Sequence, residues 1–311
     1  SSRLESRGKG ADDNGLMSSV VRQSEKLRDV LYDIRGPVNA RAAAMEAAGE
    51  RILKLNTGNP QPFGFDAPAE ILQDVIAGLP TAQGYSDSRG IQSARRAVVH
   101  HYQLQEGFPV IDIDDVWLGN GVSELIQMAL QALLDNGDVV LIPVPAYLLW
   151  TAVTNLAGGV PVHYLCDEAN CWNPDIADLE SKITDRTKVI VVINPNNPTG
   201  TFVVADKLHA FLKRLHANVL VVLDEAYTAY LDATLAYNSV PWLKEFPNLI
   251  ISRPLSKAYG LAGLRVGFGL ANENLIALMN RVRQPFNVNH LAMVAATAAL
   301  DDDEFIARSR Q

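Results

Sequence analysis

An α/β fold with a mostly parallel sheet is what this sequence predicts, and three observations carry the prediction. Short apolar runs rich in β-branched residues recur at 139–143, 188–193, 219–223, 249–252 and 266–270, the pattern of strands buried on both faces. Amphipathic stretches at 123–134, 205–216 and 274–283 lie between them, and alternating strands and helices specify a parallel sheet with helices on its faces. Polar clusters close the strands: Gly119-Asn120-Gly121 opens one helix, 194–200 follows a second strand, Asp224 ends a third and Ser256-Lys257 follows a fourth. Ligands of such sheets gather at the carboxyl ends of the strands, so these clusters predict a site there.

The chain has 311 residues, room for two domains at about 150 residues each. A net charge of −8 and a pI near 5.3 argue against a nucleic-acid binder held by phosphate contacts. Apolar content of 48% with 20% charged residues suits a soluble chain with a real core. The longest apolar stretch, 139–153, is broken by Pro143 and Pro145 and is too short to span a bilayer. No export signal opens the chain. Cys166 and Cys171 make neither a disulfide scaffold nor a zinc set. The expectation is a cytoplasmic enzyme with reduced thiols and neither a nucleic-acid nor a membrane partner. Residues 1–29, polar and without apolar period, are expected to be a disordered leader, with Met17 a candidate start.

Lys257 is the strongest single candidate for chemistry. It follows a buried strand among small residues and glycines, where desolvation would lower the amine's pKa and leave a nucleophile for a carbonyl carbon; the alternative is a surface lysine in a turn. Arg265, eight residues on, offers a planar fork for a phosphate, and Ser256 adds a hydroxyl. Asp224 ends an apolar strand. A buried carboxylate there needs a cation, which a protonated ring nitrogen would supply, and Tyr227 could reach the same ring; a helix-capping aspartate is the bland alternative. Gly121, Val122 and Ser123 open a helix where backbone N–H groups favour an anion. The dinucleotide pattern fails there because Glu124 stands in place of the third glycine. Tyr147, in the loop after 139–143, could stack on a flat ring or simply pack. Asn197-Pro198-Thr199-Gly200 is a turn by composition.

Taken in order, Gly-x-Gly, an aromatic, Asn-Pro-Thr-Gly, Asp-x-x-Tyr, Ser-Lys and Arg resemble the motif set of the fold-type I pyridoxal-phosphate aminotransferases of class I/II. The resemblance runs from about Asp33 to the end of the chain. It implies a three-layer α/β/α large domain over 66–311 and an N-terminal segment, 30–65, contributing to a small domain and to dimer contacts. It implies pyridoxal 5′-phosphate as cofactor and a ping-pong transfer of an amino group from an amino acid to a 2-oxo acid. Lys257 resembles the lysine that forms the internal aldimine and then moves the proton. Asp224 would hold the ring nitrogen protonated, Tyr227 and Asn197 would flank the ring oxygen, and Tyr147 would stack on the ring. Gly121, Val122, Ser123, Ser256 and Arg265 would cradle the phosphate. Tyr85 looks like the tyrosine that reaches a partner subunit's cofactor, implying a homodimer. Gly58 resembles the glycine near the substrate carboxylate.

Residues 30–200 are similar to bacterial alanine (glutamate–pyruvate) aminotransferases, in 62–68 and 79–85 above all, whereas 200–311 are similar to histidinol-phosphate aminotransferases, in 224–227, 256–265 and 283–289. The first likeness implies an alanine- or glutamate-type donor, the second histidinol phosphate. Arg283 lies where related enzymes place a group near the distal end of the substrate, or is a solvated helix-end arginine. Family members continue into a small C-terminal domain carrying the arginine that clamps the substrate α-carboxylate, and no residue here matches it. The expectation is that this domain is absent, with an impaired or non-catalytic cofactor-binding fragment as the alternative.

Overall fold

The structure, a computed structural model, describes residues 24–30, 36–54, 57–107 and 110–310. Of the expected leader only 24–29 are described, with a 3₁₀ turn at Glu25–Leu27; the rest of it, and Asp33 and Asn56, lie outside the described residues. Helices α1 (Gly36–Ala47), α2 (Ala69–Gly78) and α3 (Gln92–Glu106) precede β1 (Val116–Gly119). Then come α4 (Val122–Leu133), β2 (Val139–Val144), α5 (Leu149–Leu156), β3 (Val160–Asp167), β4 (Asn173–Pro174) and α6 (Ile176–Ser181). The chain continues through β5 (Thr187–Ile193), α7 (Ala205–Arg214), β6 (Leu220–Asp224), β7 (Leu249–Pro254), β8 (Gly267–Ala271), α8 (Glu273–Asn280), α9 (His290–Ala299) and α10 (Asp303–Ser309).

The sheet order is β1-β8-β7-β6-β5-β2-β3-β4. Strands β2, β5, β6 and β7 run parallel, as the apolar runs predict, and β3, which none of those runs covers, joins them beside β2. Strand β8 runs antiparallel to both neighbours, and β4 antiparallel to β3. A parallel return needs a crossover of a dozen or more residues, usually a helix; between β7 and β8 there is only a 3₁₀ turn at Ala262–Leu264, so the chain doubles back. That return carries Lys257 and Arg265.

Helices cover both faces. On one, Val221, Leu223, Ile251 and Phe268 pack with Tyr102 of α3 and Met293 of α9. On the other, Leu220, Val222 and Ile250 pack with Leu125 of α4, Trp150 of α5 and Met279 of α8. Burying each such side chain contributes about 1.5–3 kcal/mol. The strict alternation along β6 has a chemical consequence at its end, where Asp224 and Glu225 leave on opposite faces. Helix α8 is capped by Asn272, whose side chain accepts from Asn274 N, and it stops short of the expected residue 283. Cys166 is buried in β3 and Cys171 exposed, both unpaired; burial pushes the Cys166 thiol up to about 11. Among the described residues no helix is long and apolar enough to cross a membrane, and no cluster of three or more His, Cys, Asp or Glu could hold a metal.

Candidate active site

The carboxyl ends of β6 and β7 bring together residues far apart in sequence. Lys257 stands three positions past the end of β7, where Nζ donates to the Gly58 carbonyl at 3.0 Å. Its amine also lies 5.6 Å from the centre of the Tyr227 ring. Burial first, and the charge of Arg265 second, lower the pKa of Lys257. Lys257 is thus half-buried rather than a fully exposed turn lysine, and its surroundings disfavour the charged form of the amine. Gly58 is tight against it, since a Cβ there would sit 3.2 Å from Lys257 Nζ and 3.6 Å from the Tyr227 hydroxyl.

Asp224 occupies the end of β6 at 4% exposure. Its carboxylate accepts from Trp150 Nε1 at 3.2 Å and from Ala226 N at 3.2 Å. No cation pairs with it among the described residues, and it caps no helix. Burial, opposed by the Trp150 and Ala226 bonds and reinforced by the charge of Glu225, pushes its pKa up to about 6. Near neutral pH a buried anion of this kind awaits a positive partner. Burial, then the charge of Asp224 and Tyr147, raises the pKa of Tyr227, so its phenol stays a hydrogen-bond donor.

A second sub-site forms between β1 and the return loop. Gly121 (φ +76) precedes α4, whose N-terminus has no side-chain cap. A Cβ on Gly121 would fall 2.7 Å from Arg265 Nη2. Only glycine lets this guanidinium lie against the start of α4, where the N–H groups of Val122 and Ser123 point outward. Arg265 itself adopts φ +58 and donates from Nη1 to Ala262 O. The geometry is an anion cradle made of an arginine fork and a helix N-terminus. Ser256 is buried beside Lys257.

Three asparagines follow β5, and the structure sorts them. Asn194 bonds Val203 and the Tyr237 hydroxyl, while Asn196 bonds Pro145 O and Thr199. Asn197 instead lines a cleft of about 390 Å³ together with Tyr227, Tyr230 and Leu231. Tyr147 is half-buried between β2 and α5, close enough to raise the pKa of Tyr227.

Tyr85 and Arg283 stand apart from this cluster. Tyr85 is 86% exposed and stacks on Phe286 with centroids 4.4 Å apart; its loop is tied down by His290, which bonds Thr81 and Ser86. Arg283 is half-buried and lies three residues past the last residue of α8. It donates to Leu118 O, Asn287 Oδ1 and Asn280 Oδ1, and burial pushes its pKa down to about 10. Those bonds spend Nε and Nη1 on the protein itself.

Sequence reasoning missed Trp150, although it stands only three residues beyond Tyr147. It also missed Glu225 and Arg253, each a near neighbour of a residue it did find.

Residues 50–311 match the family model described as aminotransferase class I and II. The alanine aminotransferase of Mycobacterium tuberculosis is 60% identical over 248 residues, covering 79% of this chain and 58% of that protein. Histidinol-phosphate aminotransferase 2 of Ralstonia nicotianae is 41% identical over 278 residues, covering 88% of this chain and 68% of that one. Matches over these shares of the chain both cross residue 200, so each likeness extends beyond the half in which its motifs are densest. A crystal structure of an aminotransferase from Escherichia coli superposes with a TM-score of 0.84 at 44% identity, covering 93% of this chain and 73% of that one. The chain thus spans less than two thirds of the length of the alanine aminotransferase it matches.

Proposed function

The chain belongs to the class I and II aminotransferase family, and on that premise we propose that it moves an amino group from an alanine- or glutamate-type donor to a 2-oxo acid in a ping-pong cycle with pyridoxal 5′-phosphate. The observation that carries this reading is Asp224, a buried carboxylate without a cationic partner among the described residues, which shares the neighbour Tyr227 with a Lys257 amine whose pKa burial lowers. The residues fit the cofactor: Asp224 lacks the positive charge that a protonated ring nitrogen carries, and Gly121 leaves space for an arginine-lined phosphate cradle. When bound, pyridoxal phosphate supplies an aldehyde that takes up an amino group and a ring that accepts electrons from Cα.

The chain's own groups have distinct tasks. Arg265, Ser256 and the N–H groups of Val122 and Ser123 would hold the phosphate. Asp224 would keep a proton on the ring nitrogen, while Tyr227 and Asn197 would donate to the ring oxygen and Tyr147 would cover a ring face. Lys257 Nζ would be the group that faces the cofactor aldehyde as a nucleophile, and it would serve as the base that moves a proton at Cα. Gly58, whose carbonyl holds that amine, would border the substrate.

We further assign 66–311 to the cofactor-binding domain and 30–65 to a small-domain and dimer-contact segment. A cytoplasmic homodimer is the proposed setting, in which the exposed Tyr85 reaches the partner subunit's cofactor. The likeness to histidinol-phosphate aminotransferase over 88% of the chain favours a second reading with a phosphorylated donor.

The visible spectrum with added pyridoxal phosphate tests the cofactor, the role of Lys257 and the donor. A yellow band is expected that Lys257→Ala lacks, with conversion of the donor to its 2-oxo acid slowed by roughly 10³-fold or more in that variant. Bleaching by L-alanine or L-glutamate supports the first reading, and bleaching by histidinol phosphate alone replaces it with the second. A band that no donor changes would reduce the chain to a cofactor binder. Absence of a band in the unmodified protein overturns the proposal.

A further inference from the structure

Directly behind Asp224, on the opposite face of the sheet, lies a buried charged cluster that none of the proposed catalytic roles uses. Glu225 follows Asp224 in the chain, and its side chain is 0% exposed. Arg253 sits on β7, four residues before Lys257. Its Nε and Nη2 both bond or pair with Glu225 Oε2 at 2.7 Å. Nη1 donates to the Tyr102 hydroxyl at 2.5 Å, and Nη2 also reaches Ser239 Oγ at 3.2 Å. Ser239 Oγ in turn donates to Glu225 Oε2 at 3.0 Å. The backbone repeats the link, with Glu225 N donating to Ser252 O at 3.0 Å.

We propose that Glu225 and Arg253 form a positioning pair, in which Arg253 neutralises Glu225 so that Asp224 stays ionised while the pair locks the end of β6 to the end of β7. Two consecutive buried carboxylates would otherwise compete for one proton. The electrostatic effect on Asp224 stands on the ion pair alone; its value for holding a protonated ring rests on the transamination reading.

The surroundings define what else can titrate. Asp224 faces Trp150 from α5, Ser252 from β7, and Tyr227, itself close to Tyr147 and Lys257. Around Arg253 stand Tyr102 and His101 of α3, Tyr237, Tyr259, and Asp303 and Arg310 at the C-terminal helix. His101 is the one group of that set with an ordinary pKa close to the range of Asp224; burial and the nearby Arg253 lower it. A His101→Gln background removes it from the titration.

The indole N–H of Trp150 donates to Asp224, so its ¹⁵N–¹H resonance, assigned with Trp150→Phe, reports the ionisation of Asp224 without any cofactor. In the full chain the midpoint is expected at about 6. Glu225→Gln removes the like charge and leaves Arg253 unopposed, moving the midpoint down by about one pH unit. Arg253→Met exposes Asp224 to Glu225, moving it up by a similar amount. The double variant carries neither charge and returns the midpoint to near that of the unmodified chain. A purely structural pair would not move the midpoint in opposite directions. If Arg253→Met fails to fold, Glu225→Gln and the double variant still decide the matter. An unmoved midpoint in Glu225→Gln, or a double variant displaced as far as that single one, overturns the proposal. The same proteins with pyridoxal phosphate separate the two readings: a missing Lys257-dependent band in the unmodified chain sinks the transamination reading and leaves the titration result standing.

Discussion

Asp224 and Glu225 are consecutive, buried and acidic, yet the two faces of the sheet treat them in opposite ways. On the Glu225 face the protein supplies its own cation, Arg253, with Ser239 completing the arrangement. On the Asp224 face, among the described residues, it supplies only neutral donors, the Trp150 indole and the Ala226 amide. The first carboxylate is part of the fold. The second is a buried carboxylate with no cation beside it among the described residues, which the proposed function reads as the seat of a charge from outside the chain. A buried charge with an internal partner contributes to structure, whereas one without such a partner marks where a ligand belongs.

Truncating the structural carboxylate should give the largest effect. Glu225→Ala leaves Arg253 buried without its counter-charge, and such breakage costs about 3–5 kcal/mol. Urea unfolding at pH 7.5 without cofactor checks it, and a loss below about 1 kcal/mol would erase the distinction between the two faces. Asp224→Asn should do the reverse. The folded-state pKa of about 6 lies above the ordinary carboxylate value of about 3.9. The folded state therefore binds the proton more tightly, and its stability falls as pH rises through that interval. Replacing Asp224 by its neutral isostere should thus stabilise the cofactor-free protein by about 3 kcal/mol above pH 7 and by almost nothing below pH 4. The same variant should lose cofactor chemistry, the usual exchange of stability for function at a site.

A smaller effect is expected at the cradle. Gly121→Ala places a Cβ 2.7 Å from Arg265 Nη2 at a φ of +76, which displaces the guanidinium and strains the turn. Pyridoxal phosphate should bind about 10-fold more weakly, a change of about 1.4 kcal/mol. Titration by fluorescence quenching measures it, and an unchanged affinity would remove Gly121 from the phosphate site.

Much of this was legible in the chain. The parallel strands announced themselves because burial on both faces leaves uninterrupted apolar runs, and the site residues because polar groups cluster where those runs stop. Strand β3 was not legible: Pro161 and His163 interrupt it, and six of its eight residues are at least partly exposed. The direction of β8 was hidden because a strand buried on both faces has the same composition whichever way it runs; the missing helix between β7 and β8 was the available signal. For Arg283 a place near the substrate and a solvated helix end both stayed open, because its anchor, the carbonyl of Leu118, is invisible in a sequence. Trp150 and the Glu225–Arg253 pair escaped because strand alternation places a residue on a face but does not say which distant side chain meets it.

Trp150 offers the finest test of the comparison. Its indole N–H is the only side-chain donor on Asp224 among the described residues, and that bond opposes the rise in the carboxyl's pKa. Because the bond favours the ionised form, it matters at pH 8 and fades at pH 4.5, where Asp224 carries its proton. Trp150→Phe keeps most of the buried ring and removes the donor. A double-mutant cycle with Asp224→Asn should therefore give a coupling of about 1 kcal/mol at pH 8 and less at pH 4.5. The sign also separates the two faces, since the corresponding cycle of Trp150→Phe with Glu225→Gln, across the sheet, should show almost no coupling at either pH. Equal coupling in both cycles would mean that the indole acts through packing alone, and that the Asp224 carboxylate is less isolated from its neighbour than the geometry requires.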